Sequence, residues 1–356
     1  MVNISKKFEY LVYIGRMQPP TIAHLKTIKM ALGLADNVIV LVGSAGEPRT
    51  IKNPFNFEER KAWIRRNIGG QQNLFIEPIY DFPYNDNKWV AGVQKVVKNI
   101  VGENDAKIGI IGYMKDYSSY YLAELFPMWT TVNVKPHFYK NGDIIHATDF
   151  RNAYLKNIAI YGGKKEGFVD VSEHIKLSIH EDIEYLFETD EEMMQLREEF
   201  KYIEEYKKSW GNSPYPPTFV TGDAVVVQNG YVLFVRRKHA PGKGLWALPG
   251  GFINNHERIK DGIIRELHEE TMVKVPVEVL RRNIKHIHVF DNPDRDNRGR
   301  VITHAAYIDL GNFAKLPHVK GADDADKAQW VPFSELKREM CFGDHAHIID
   351  FFVSVL

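Results

Sequence analysis

The chain has 356 residues, which is long for one hydrophobic core and sufficient for two domains. Hydrophobic residues make up 44% and charged residues 26% of the sequence, as in an ordinary globular protein. Basic and acidic residues both number 46, which argues against a general nucleic-acid or membrane-surface binder, and the single cysteine, Cys341, excludes an internal disulfide. No apolar run reaches membrane-spanning length and the N-terminal apolar segment is too short for a signal peptide, so we expect a cytoplasmic protein.

The first half of the chain alternates between strand patterns and helix patterns. The predicted strands cover residues 8–14, 37–42, 74–79 and 107–111, and the predicted helices between them cover residues 22–34, 57–68 and 88–100. Such alternation predicts a doubly wound, parallel α/β sheet. Because ligands bind such sheets at the carboxyl ends of the strands, we expect a site in the segment after the first strand.

That segment places a hydroxyl and an imidazole at the start of the first predicted helix. Thr21 and His24 are separated by two residues, and Arg16 lies just upstream. Backbone N–H groups at a helix N-terminus favour phosphate, and these side chains would add to that preference. The alternative is that Thr21 only caps the helix and that His24 lies on its surface.

Further polar segments are expected at the same edge of the sheet: Gly43-Ser44-Ala45, Asn53-Pro54-Phe55, Glu58-Glu59-Arg60, Asn85 with Trp89, and His146-Ala147-Thr148-Asp149-Phe150-Arg151. With GRMQPPTIAH at residues 15–24, they resemble the nucleotidyltransferase superfamily, specifically the archaeal-type nicotinamide mononucleotide adenylyltransferases. ATDFR at residues 147–151 resembles the second signature of that family, in which a helix N-terminus and an arginine hold the triphosphate. Two positions depart from the pattern, because Thr21 replaces the first histidine of HxGH and His146 replaces a serine.

This resemblance implies a Rossmann-like domain in which the 5′-phosphate of nicotinamide mononucleotide attacks the α-phosphorus of ATP, giving NAD and pyrophosphate. Catalysis would be positioning and charge stabilisation by His24, Thr21 and Arg16, with Mg²⁺ bridging the phosphates. The residues expected to bind ATP are Gly15, Arg16, Met17, Gln18, Thr21, His24, Thr148 and Arg151. The residues expected to bind nicotinamide mononucleotide are Gly43, Ser44, Lys52, Asn53, Asn85 and Trp89.

Some of these residues have ordinary alternatives. Trp89 would stack on the nicotinamide ring, which suits a flat aromatic group near a cationic pyridinium, or it would belong to the core. Lys52, Lys115 and Asp116 would line the same cleft or be surface charges. Another phosphorylated metabolite as the acceptor is the alternative for the reaction itself.

Residues 183–216 are predicted to be a helical connector and linker. Apolar residues spaced three and four apart within residues 190–208 describe an amphipathic helix, which the glycine- and proline-rich residues 211–217 then break. We therefore expect the adenylyltransferase domain to cover residues 1–182 and a second domain to cover residues 217–356. Self-association through this helix, giving a homo-oligomer, is the alternative to packing against one domain.

The second half contains an acidic segment at residues 251–273, GFINNHERIKDGIIRELHEETMV. If residues 258–270 are helical, Glu266, Glu269 and Glu270 stand at i, i+3 and i+4 on one face, opposite an isoleucine- and leucine-rich face. Clustered carboxylates repel one another unless a cation lies among them, and their oxygen atoms suit Mg²⁺ or Mn²⁺. A solvated acidic face is the common alternative.

The same segment resembles the Nudix box, G-x5-E-x7-R-E-U-x-E-E-x-G-U with U apolar, and LWALPGG at residues 245–251 is the usual approach to it. The resemblance implies an α/β/α domain that uses a metal to hydrolyse a nucleoside diphosphate linked to another group. It also implies that Arg265 orients the glutamates and that the metal ligands are Glu257, Glu266, Glu269 and Glu270, the last three being catalytic. Met272 departs from the pattern, because the family glycine there ends the helix in a left-handed conformation.

Residues 289–303, VFDNPDRDNRGRVIT, resemble a segment of ADP-ribose pyrophosphatases and related Nudix regulators, with Asn297 in place of the usual proline. The resemblance implies that ADP-ribose is bound by Arg295, Arg298, Arg300, Gly250 and Gly251, whereas a solvated loop is the alternative. The leading hypothesis is a bifunctional enzyme that makes NAD and hydrolyses ADP-ribose to AMP and ribose 5-phosphate. A C-terminal domain that senses ADP-ribose, or that cleaves another nucleoside diphosphate derivative, is the alternative.

Overall fold

The structure is a computed structural model and describes residues 6–103, 105–114, 117–136, 138 and 146–355. Lys115 and Asp116, which were predicted to line the first cleft, lie outside these residues. The chain divides into two compact units, Met1–Arg197 and Glu198–Leu356. Within the described part of the chain, no helix has both the length and the apolar composition needed to cross a membrane.

The first unit is built on a parallel sheet of five strands in the order β3-β2-β1-β4-β5. Its elements are β1 (Phe8–Gly15), α1 (Ile22–Leu34), β2 (Ala35–Val42), α2 (Phe57–Ile68), β3 (Leu74–Pro78), α3 (Asp86–Val101), β4 (Ile108–Gly112), β5 (Thr130–Asn133), α4 (Ala147–Leu155), β6 (Ala159–Ile160), β7 (Val169–Asp170) and α5 (Leu177–Thr189). The short strands β6 and β7 form a separate two-stranded sheet. The order and the parallel pairing confirm the predicted doubly wound α/β fold.

Helices cover both faces of this sheet because its central strands are apolar on both faces. Leu11 and Val12 are adjacent in β1 and both fully buried. Leu11 belongs to the core cluster that contains Leu25 of α1, and Val12 belongs to the cluster that contains Val93 of α3. Parallel sheets covered in this way leave the ends of the strands open for ligands. The loops after β1 and β2 are therefore where the first site is assembled.

The second unit contains a mixed sheet of seven strands with helices on both faces. Its elements are β8 (Thr218–Gln228), β9 (Tyr231–Arg237), β10 (Trp246–Ala247), β11 (Gly250–Phe252), α7 (Ile259–Thr271), α8 (Val277–Arg282), β12 (Ile284–Phe290), β13 (Arg300–Asp309), β14 (Ala325–Pro332) and α9 (His345–Val355), with short 3-10 turns before α9. The main strand order is β10-β9-β8-β13-β12, with β11 paired to β8 and β14 paired to β9.

Neighbouring residues of β13 show how the two faces are covered. Ala306 packs in the cluster that contains Ile263 and Leu267 of α7, whereas the ring of Tyr307, on the other face, stacks 5.6 Å from Phe352 of α9. This arrangement confirms the predicted α/β/α fold. The dipeptide Asn229-Gly230 is a strong turn signal in the sequence, and it forms the hairpin between β8 and β9, where both residues have the positive φ that a tight two-residue turn requires.

A further helix, α6 (Glu191–Ser209), occupies the segment that was predicted to be an amphipathic connector. Its buried residues, Met193, Leu196, Phe200 and Ile203, follow the predicted spacing of three and four. The boundary between the two compact units falls inside this helix, after Arg197. The residues of α6 from 198 onward therefore belong to the second unit.

Candidate active sites

The loop between β1 and α1 brings Thr21 and His24 together. The backbone N–H of Thr21 donates to Nδ1 of His24 over 2.9 Å, and the backbone N–H of His24 donates to the Thr21 hydroxyl over 3.5 Å. Because Nδ1 accepts a hydrogen bond, the proton of the neutral imidazole resides on Nε2. His24 can therefore offer an N–H donor to a phosphate oxygen. Thr21 caps α1 and orients His24 at the same time, so capping does not exclude the predicted role.

Arg60 is a buried cation that joins the loops after β1 and β2. Its side chain has no solvent exposure, and its guanidinium donates to the carbonyl groups of Arg16 (2.6 Å), Gly43 (2.7 Å) and Ser44 (3.4 Å). Burial lowers the pKa of Arg60 to about 10, so the group is still protonated at neutral pH. The backbone of both loops is thus held by one side chain that comes from α2.

Arg151, on α4, has unused hydrogen-bonding capacity. Its Nη1 lies 3.5 Å from the Gln18 carbonyl oxygen and its Nη2 lies 3.4 Å from the Thr148 hydroxyl, whereas its buried Nε has no partner among the described residues. Burial, followed by the positive charge of Arg16, lowers the pKa of Arg151 to about 10. Two neighbouring guanidinium groups, one of them weakly bonded, form a favourable environment for an anion.

Gln18 and Met17, both predicted to bind ATP, have clear structural roles. The Gln18 amide donates to the Phe55 carbonyl over 2.7 Å and accepts from the Phe55 N–H over 3.0 Å, which fixes the Asn53-Pro54-Phe55 segment against the loop. The Met17 side chain is buried, with a backbone φ of 51°. Gly15 accepts a hydrogen bond of 3.0 Å from the N–H of Gly43, which joins the ends of β1 and β2.

The residues predicted to bind nicotinamide mononucleotide differ in how far other contacts occupy them. Ser44 is buried, and its hydroxyl donates to Asp81 over 2.6 Å. The buried Oδ1 of Asn53 has no hydrogen-bond partner among the described residues, so it is available to a ligand. Lys52 lies next to Asn53 and is half-buried.

Asn85 and Trp89 both make contacts that stabilise α3 and the core around it. Oδ1 of Asn85 accepts from the Lys88 N–H over 2.9 Å and caps α3. The half-buried Trp89 ring contacts Tyr121 edge-on at 5.7 Å and Phe126 at 5.9 Å. These contacts match the core alternative for Trp89.

In the second unit, Arg265 binds three of the four glutamates that were predicted to hold a metal. Its Nε and Nη2 donate to the two oxygens of Glu257 over 3.0 and 2.6 Å, and its Nη1 donates to Glu266 over 2.7 Å and to Glu269 over 2.8 Å. Hydrogen bonds from Arg265 and from the Asn254 N–H lower the pKa of Glu257 to about 2. Both carboxylate oxygens of Glu257 thus accept hydrogen bonds from protein groups, mainly from Arg265.

Glu270 faces β11 and lies in a different environment. Its Oε2 accepts from the Gly250 N–H over 2.9 Å, and burial, reinforced by the charges of Glu266 and Asp223, raises its pKa to about 8. A Cβ at position 251 would lie 2.6 Å from the carboxylate of Glu266, and a Cβ at position 250 would lie 2.4 Å from Asp223. The two glycines therefore allow the strand to approach the carboxylates closely.

The three arginines predicted to bind ADP-ribose are each paired with an acidic residue or its backbone. Arg295 donates to both oxygens of Asp344 over 2.9 and 3.0 Å, and Arg298 donates to both oxygens of Asp296 over distances of 2.7 to 3.3 Å. Arg300 donates to the carbonyl oxygen of Asp291. Arg295 and Arg298 line the cavity described next, whereas Arg300 is outside its lining.

These groups surround one cavity of about 760 Å³. Among its lining residues are Gly250, Gly251, Glu266, Glu269, Glu270, Arg295 and Arg298, so the structure brings together most of the predicted C-terminal site. A cavity of this size accommodates a nucleotide-sized ligand.

Met272 ends α7 in the left-handed conformation that the family glycine would adopt. Its φ is 45° and its ψ is 33°, and its N–H donates to the His268 carbonyl over 2.9 Å. The helix therefore ends as the box pattern requires, although the residue is not glycine.

Comparison with known proteins agrees with both halves of the chain. A cytidylyltransferase-like family model matches residues 12–104, and a NUDIX domain model matches residues 218–352. A nicotinamide/nicotinic acid mononucleotide adenylyltransferase from Acinetobacter baylyi is 42% identical over 165 residues, covering 46% of this chain and 84% of the relative. An ADP-ribose pyrophosphatase from Methanocaldococcus jannaschii is 34% identical over 131 residues, covering 36% of this chain and 70% of the relative.

A solved structure matches the whole chain. The crystal structure of a bifunctional NMN adenylyltransferase/ADP ribose pyrophosphatase from Francisella tularensis is 34% identical, has a TM-score of 0.88, and covers 98% of this chain and 99% of that chain. The chain belongs to this bifunctional family. Both resemblances inferred from the sequence, to the adenylyltransferases and to the Nudix hydrolases, are thereby confirmed.

Nudix hydrolases need a divalent metal, and the Francisella tularensis protein has also been solved in complex with AMP and a Mn ion. Among the described residues here, no three acidic, histidine or cysteine side chains are arranged to hold a metal by themselves, and the Arg265 guanidinium lies among Glu257, Glu266 and Glu269. The donor set nevertheless fits a hard cation. Burial, and to a lesser extent the neighbouring carboxylates, raises the pKa of Glu266 and of Glu270, and a bound cation would offset the repulsion between these carboxylates.

Several residues of the two sites escaped the sequence analysis. Arg60 stood out in the sequence only as part of the polar run 58–60, and the signal that could have found Asp223 is that it is the single charged residue of β8. Arg237, at the end of β9, lines the Nudix cavity and packs 4.2 Å from the ring of Phe342. Tyr202 and Tyr206 also line this cavity, from a helix that was interpreted as a connector.

Proposed function

We propose that the first unit transfers the adenylyl group of ATP to nicotinamide mononucleotide, giving NAD and pyrophosphate. The observation that carries this proposal is the set of phosphate-directed donors at the carboxyl end of the parallel sheet: the Nε2–H of His24 and the neighbouring guanidinium groups of Arg16 and Arg151. The bond that forms joins a phosphate oxygen of the mononucleotide to the α-phosphorus of ATP, and the bond to pyrophosphate breaks. Since no covalent intermediate is needed, positioning and charge stabilisation account for the catalysis.

In this proposal His24, Thr21 and Arg16 act on the reacting phosphates, and Arg151 with Thr148 binds the outgoing pyrophosphate. Gly15, Met17 and Gln18 contribute the shape of the ATP loop, which their backbone contacts support. The name of the Acinetobacter baylyi relative includes nicotinic acid mononucleotide, so the assay should compare nicotinamide mononucleotide with nicotinic acid mononucleotide as the acceptor.

Nicotinamide mononucleotide is assigned to Gly43, Ser44, Lys52, Asn53, Asn85 and Trp89. The buried Oδ1 of Asn53, which has no partner among the residues that the structure describes, supports this assignment best, because a buried acceptor without a partner is costly until a ligand supplies a donor. Asn85 and Trp89 would serve the ligand in addition to capping α3 and packing in the core.

We also propose that the second unit hydrolyses ADP-ribose to AMP and ribose 5-phosphate. The supporting observation is the cavity in which the carboxylates of α7 meet Arg295 and Arg298. Mg²⁺, or Mn²⁺ in its place, is assigned to Glu266, Glu269 and Glu270, with Glu257 as an accessory carboxylate that orients Arg265. The bound metal would polarise the diphosphate and lower the pKa of an attacking water molecule. Arg295 and Arg298, with the backbone of Gly250 and Gly251, would hold the diphosphate and ribose, and Arg300 would act from outside the cavity lining.

We assign the adenylyltransferase to residues 1–182, the connector to residues 183–216 and the hydrolase to residues 217–356. The hydrolase bounds are supported by the family match at residues 218–352. Both reactions are assigned to the cytoplasm, where ATP and pyridine nucleotides are available.

The test uses the full chain, so that each activity serves as the control for the other. His24→Ala should reduce NAD formation by ~10²–10³-fold, the usual effect of removing one charge-stabilising donor, and leave ADP-ribose hydrolysis unchanged. Glu270→Gln should have the opposite pattern. If the wild-type protein formed no NAD from ATP, Mg²⁺ and nicotinamide mononucleotide, the first assignment would be wrong, and if it released no AMP from ADP-ribose, the second would be wrong.

A further inference from the structure

The second half of α6 supplies two tyrosines to the cavity of the hydrolase unit. Tyr202 and Tyr206 stand four residues apart on the same face of the helix, with ring centroids 6.3 Å apart. Both line the cavity that contains Glu266, Glu269 and Glu270. They precede the NUDIX family match, which begins at residue 218, so they are not part of the pattern that defines the family.

Packing alone does not account for Tyr202. The buried face of α6 is formed by aliphatic residues and phenylalanine, including Phe200 and Ile203, whereas Tyr202 is 40% exposed. An aromatic ring that is open to a cavity offers its flat face to a ligand at little cost in side-chain entropy.

A series of rings leads from Tyr206 toward the carboxylate site. The Tyr206 ring lies 6.1 Å from Phe219, and Phe219 lies 5.8 Å from Phe252, measured between centroids. The carbonyl of Phe252 accepts a hydrogen bond from Arg265, the residue that binds the glutamates, and the Arg298 guanidinium lies 5.4 Å from the Phe252 ring. The tyrosines therefore adjoin the groups that are expected to bind the diphosphate.

The tyrosine-bearing part of α6 is fixed to the cavity wall. Oε2 of Glu199 accepts a hydrogen bond of 2.6 Å from the N–H of Gly242, and Arg237 donates to the Pro241 carbonyl over 2.8 Å in the same loop. A Cβ at position 242 would lie 2.2 Å from the Phe342 ring, so this loop conformation depends on glycine. The position of this part of α6 beside the cavity is thus fixed by hydrogen bonding.

We propose that Tyr202 and Tyr206 bind the purine base of the nucleoside diphosphate substrate and so determine its specificity. The inference rests on the proposed hydrolase function, because the diphosphate end of the substrate is placed at the glutamates. Every purine offers a planar face, and stacking on tyrosine favours the larger base over a pyrimidine. The phenol hydroxyls remain available for the polar edge of the base or for the ribose.

The test compares Tyr202→Ala, Tyr206→Ala and the double variant with Tyr→Phe substitutions at the same positions. The matched control is Tyr215→Ala, because Tyr215 is 79% exposed and lies outside the cavity lining. Each alanine variant should raise KM for ADP-ribose by about 10-fold, with kcat little changed, whereas the phenylalanine variants should retain most of the wild-type affinity. A kcat close to that of the wild type reports that the hydrolase unit is folded, and NAD formation by the same preparations reports the amount of intact chain.

An analogue of ADP-ribose that lacks the adenine separates stacking from a structural effect. If the tyrosines bind the base, the alanine substitutions should weaken turnover of ADP-ribose but not of the base-free analogue. An equal loss with both compounds, or no change in KM for ADP-ribose, would overturn the proposal.

A binding measurement distinguishes failure of this inference from failure of the hydrolase assignment. In the presence of a chelator, calorimetry reports binding of ADP-ribose without turnover. Weaker binding by the alanine variants supports the tyrosine surface whether or not ADP-ribose is hydrolysed, and unchanged binding refutes it.

Discussion

Replacing Met272 with glycine should stabilise the hydrolase unit relative to replacing it with alanine. Met272 ends α7 with φ 45° and ψ 33°, a left-handed conformation in which Cβ approaches the following carbonyl oxygen. This approach costs ~1–2 kcal/mol for an L residue, whereas glycine loses ~0.5–1 kcal/mol more chain entropy on folding than alanine does. Met272→Gly should therefore be about 1 kcal/mol more stable than Met272→Ala.

Alanine is the appropriate reference because the Met272 side chain is 45% exposed and its contacts beyond Cβ are lost in both variants. For a unit of this size, a difference of about 1 kcal/mol in the free energy of unfolding corresponds to ~2–4 °C in Tm. Calorimetry of the full chain, with loss of ADP-ribose hydrolysis on heating to assign the transition, measures this difference.

A control at an ordinary helical position should give the opposite sign. Lys201 is exposed in the interior of α6 and belongs to the same unit, so Lys201→Gly should be ~1 kcal/mol less stable than Lys201→Ala. If glycine were not favoured over alanine at position 272, while the control behaved as expected, the argument from the left-handed helix end would be refuted. Hydrolysis should persist in both Met272 variants, since the glutamates of α7 are unchanged.

Three further predictions concern buried or paired charges. Arg60→Met should abolish NAD formation and destabilise the first unit by ~3–5 kcal/mol, because the carbonyl groups of Arg16 and Gly43 lose their buried donor. ADP-ribose hydrolysis should persist as the control. Retained NAD synthesis would contradict the role of Arg60 in holding the loops. Burial raises the pKa of Glu199 above its ordinary value of 4.5, so the stability that this group contributes is present below pH 4.5 and is lost as pH rises through the folded-state pKa. Urea unfolding at successive pH values from 4.5 upward should therefore show that the free energy of unfolding falls less in Glu199→Gln than in the wild type. Parallel pH profiles of the two proteins would contradict this role of Glu199. Glu257→Gln should lower hydrolysis by ~10–100-fold by releasing Arg265, with an unchanged rate of NAD formation as the control, and full hydrolytic activity would show that the pair is dispensable.

Most of the fold was predictable because it depends on local patterns. The alternation of apolar strands and amphipathic helices over residues 8–111 indicated the parallel sheet, and Asn229-Gly230 indicated the β8–β9 hairpin. The helix of the acidic box begins and ends within one residue of its predicted bounds, 258 and 270, because its apolar face and its left-handed end are both encoded in the same segment.

The parts of the sites that escaped prediction depend on partners far away in the chain. Gln18 stays a predicted ATP-binding residue, and nothing in the sequence indicated that its amide also bonds to the backbone of Phe55, 37 residues away. Arg295 was predicted to bind ADP-ribose, and the sequence did not indicate that its guanidinium is also paired with Asp344, 49 residues away. Such pairings follow from the packing of distant elements and leave no periodic signal in the sequence.

The tyrosines of α6 were missed for a different reason. Periodicity identifies the apolar face of a helix, and here that face is formed by residues such as Met193 and Ile203. Tyr202 falls outside this pattern, so the sequence offers only an exposed aromatic residue in a charged helix. Its significance becomes visible only when the cavity beside it is known.

Because α6 continues across the boundary between the two units, the cavity of the second unit includes side chains that lie before the residues matched by the family model. A gene fragment cut before codon 218 would encode the carboxylate helix and the arginine segment but not Tyr202 or Tyr206. A shortened chain that keeps the complete cavity must therefore begin before Tyr202.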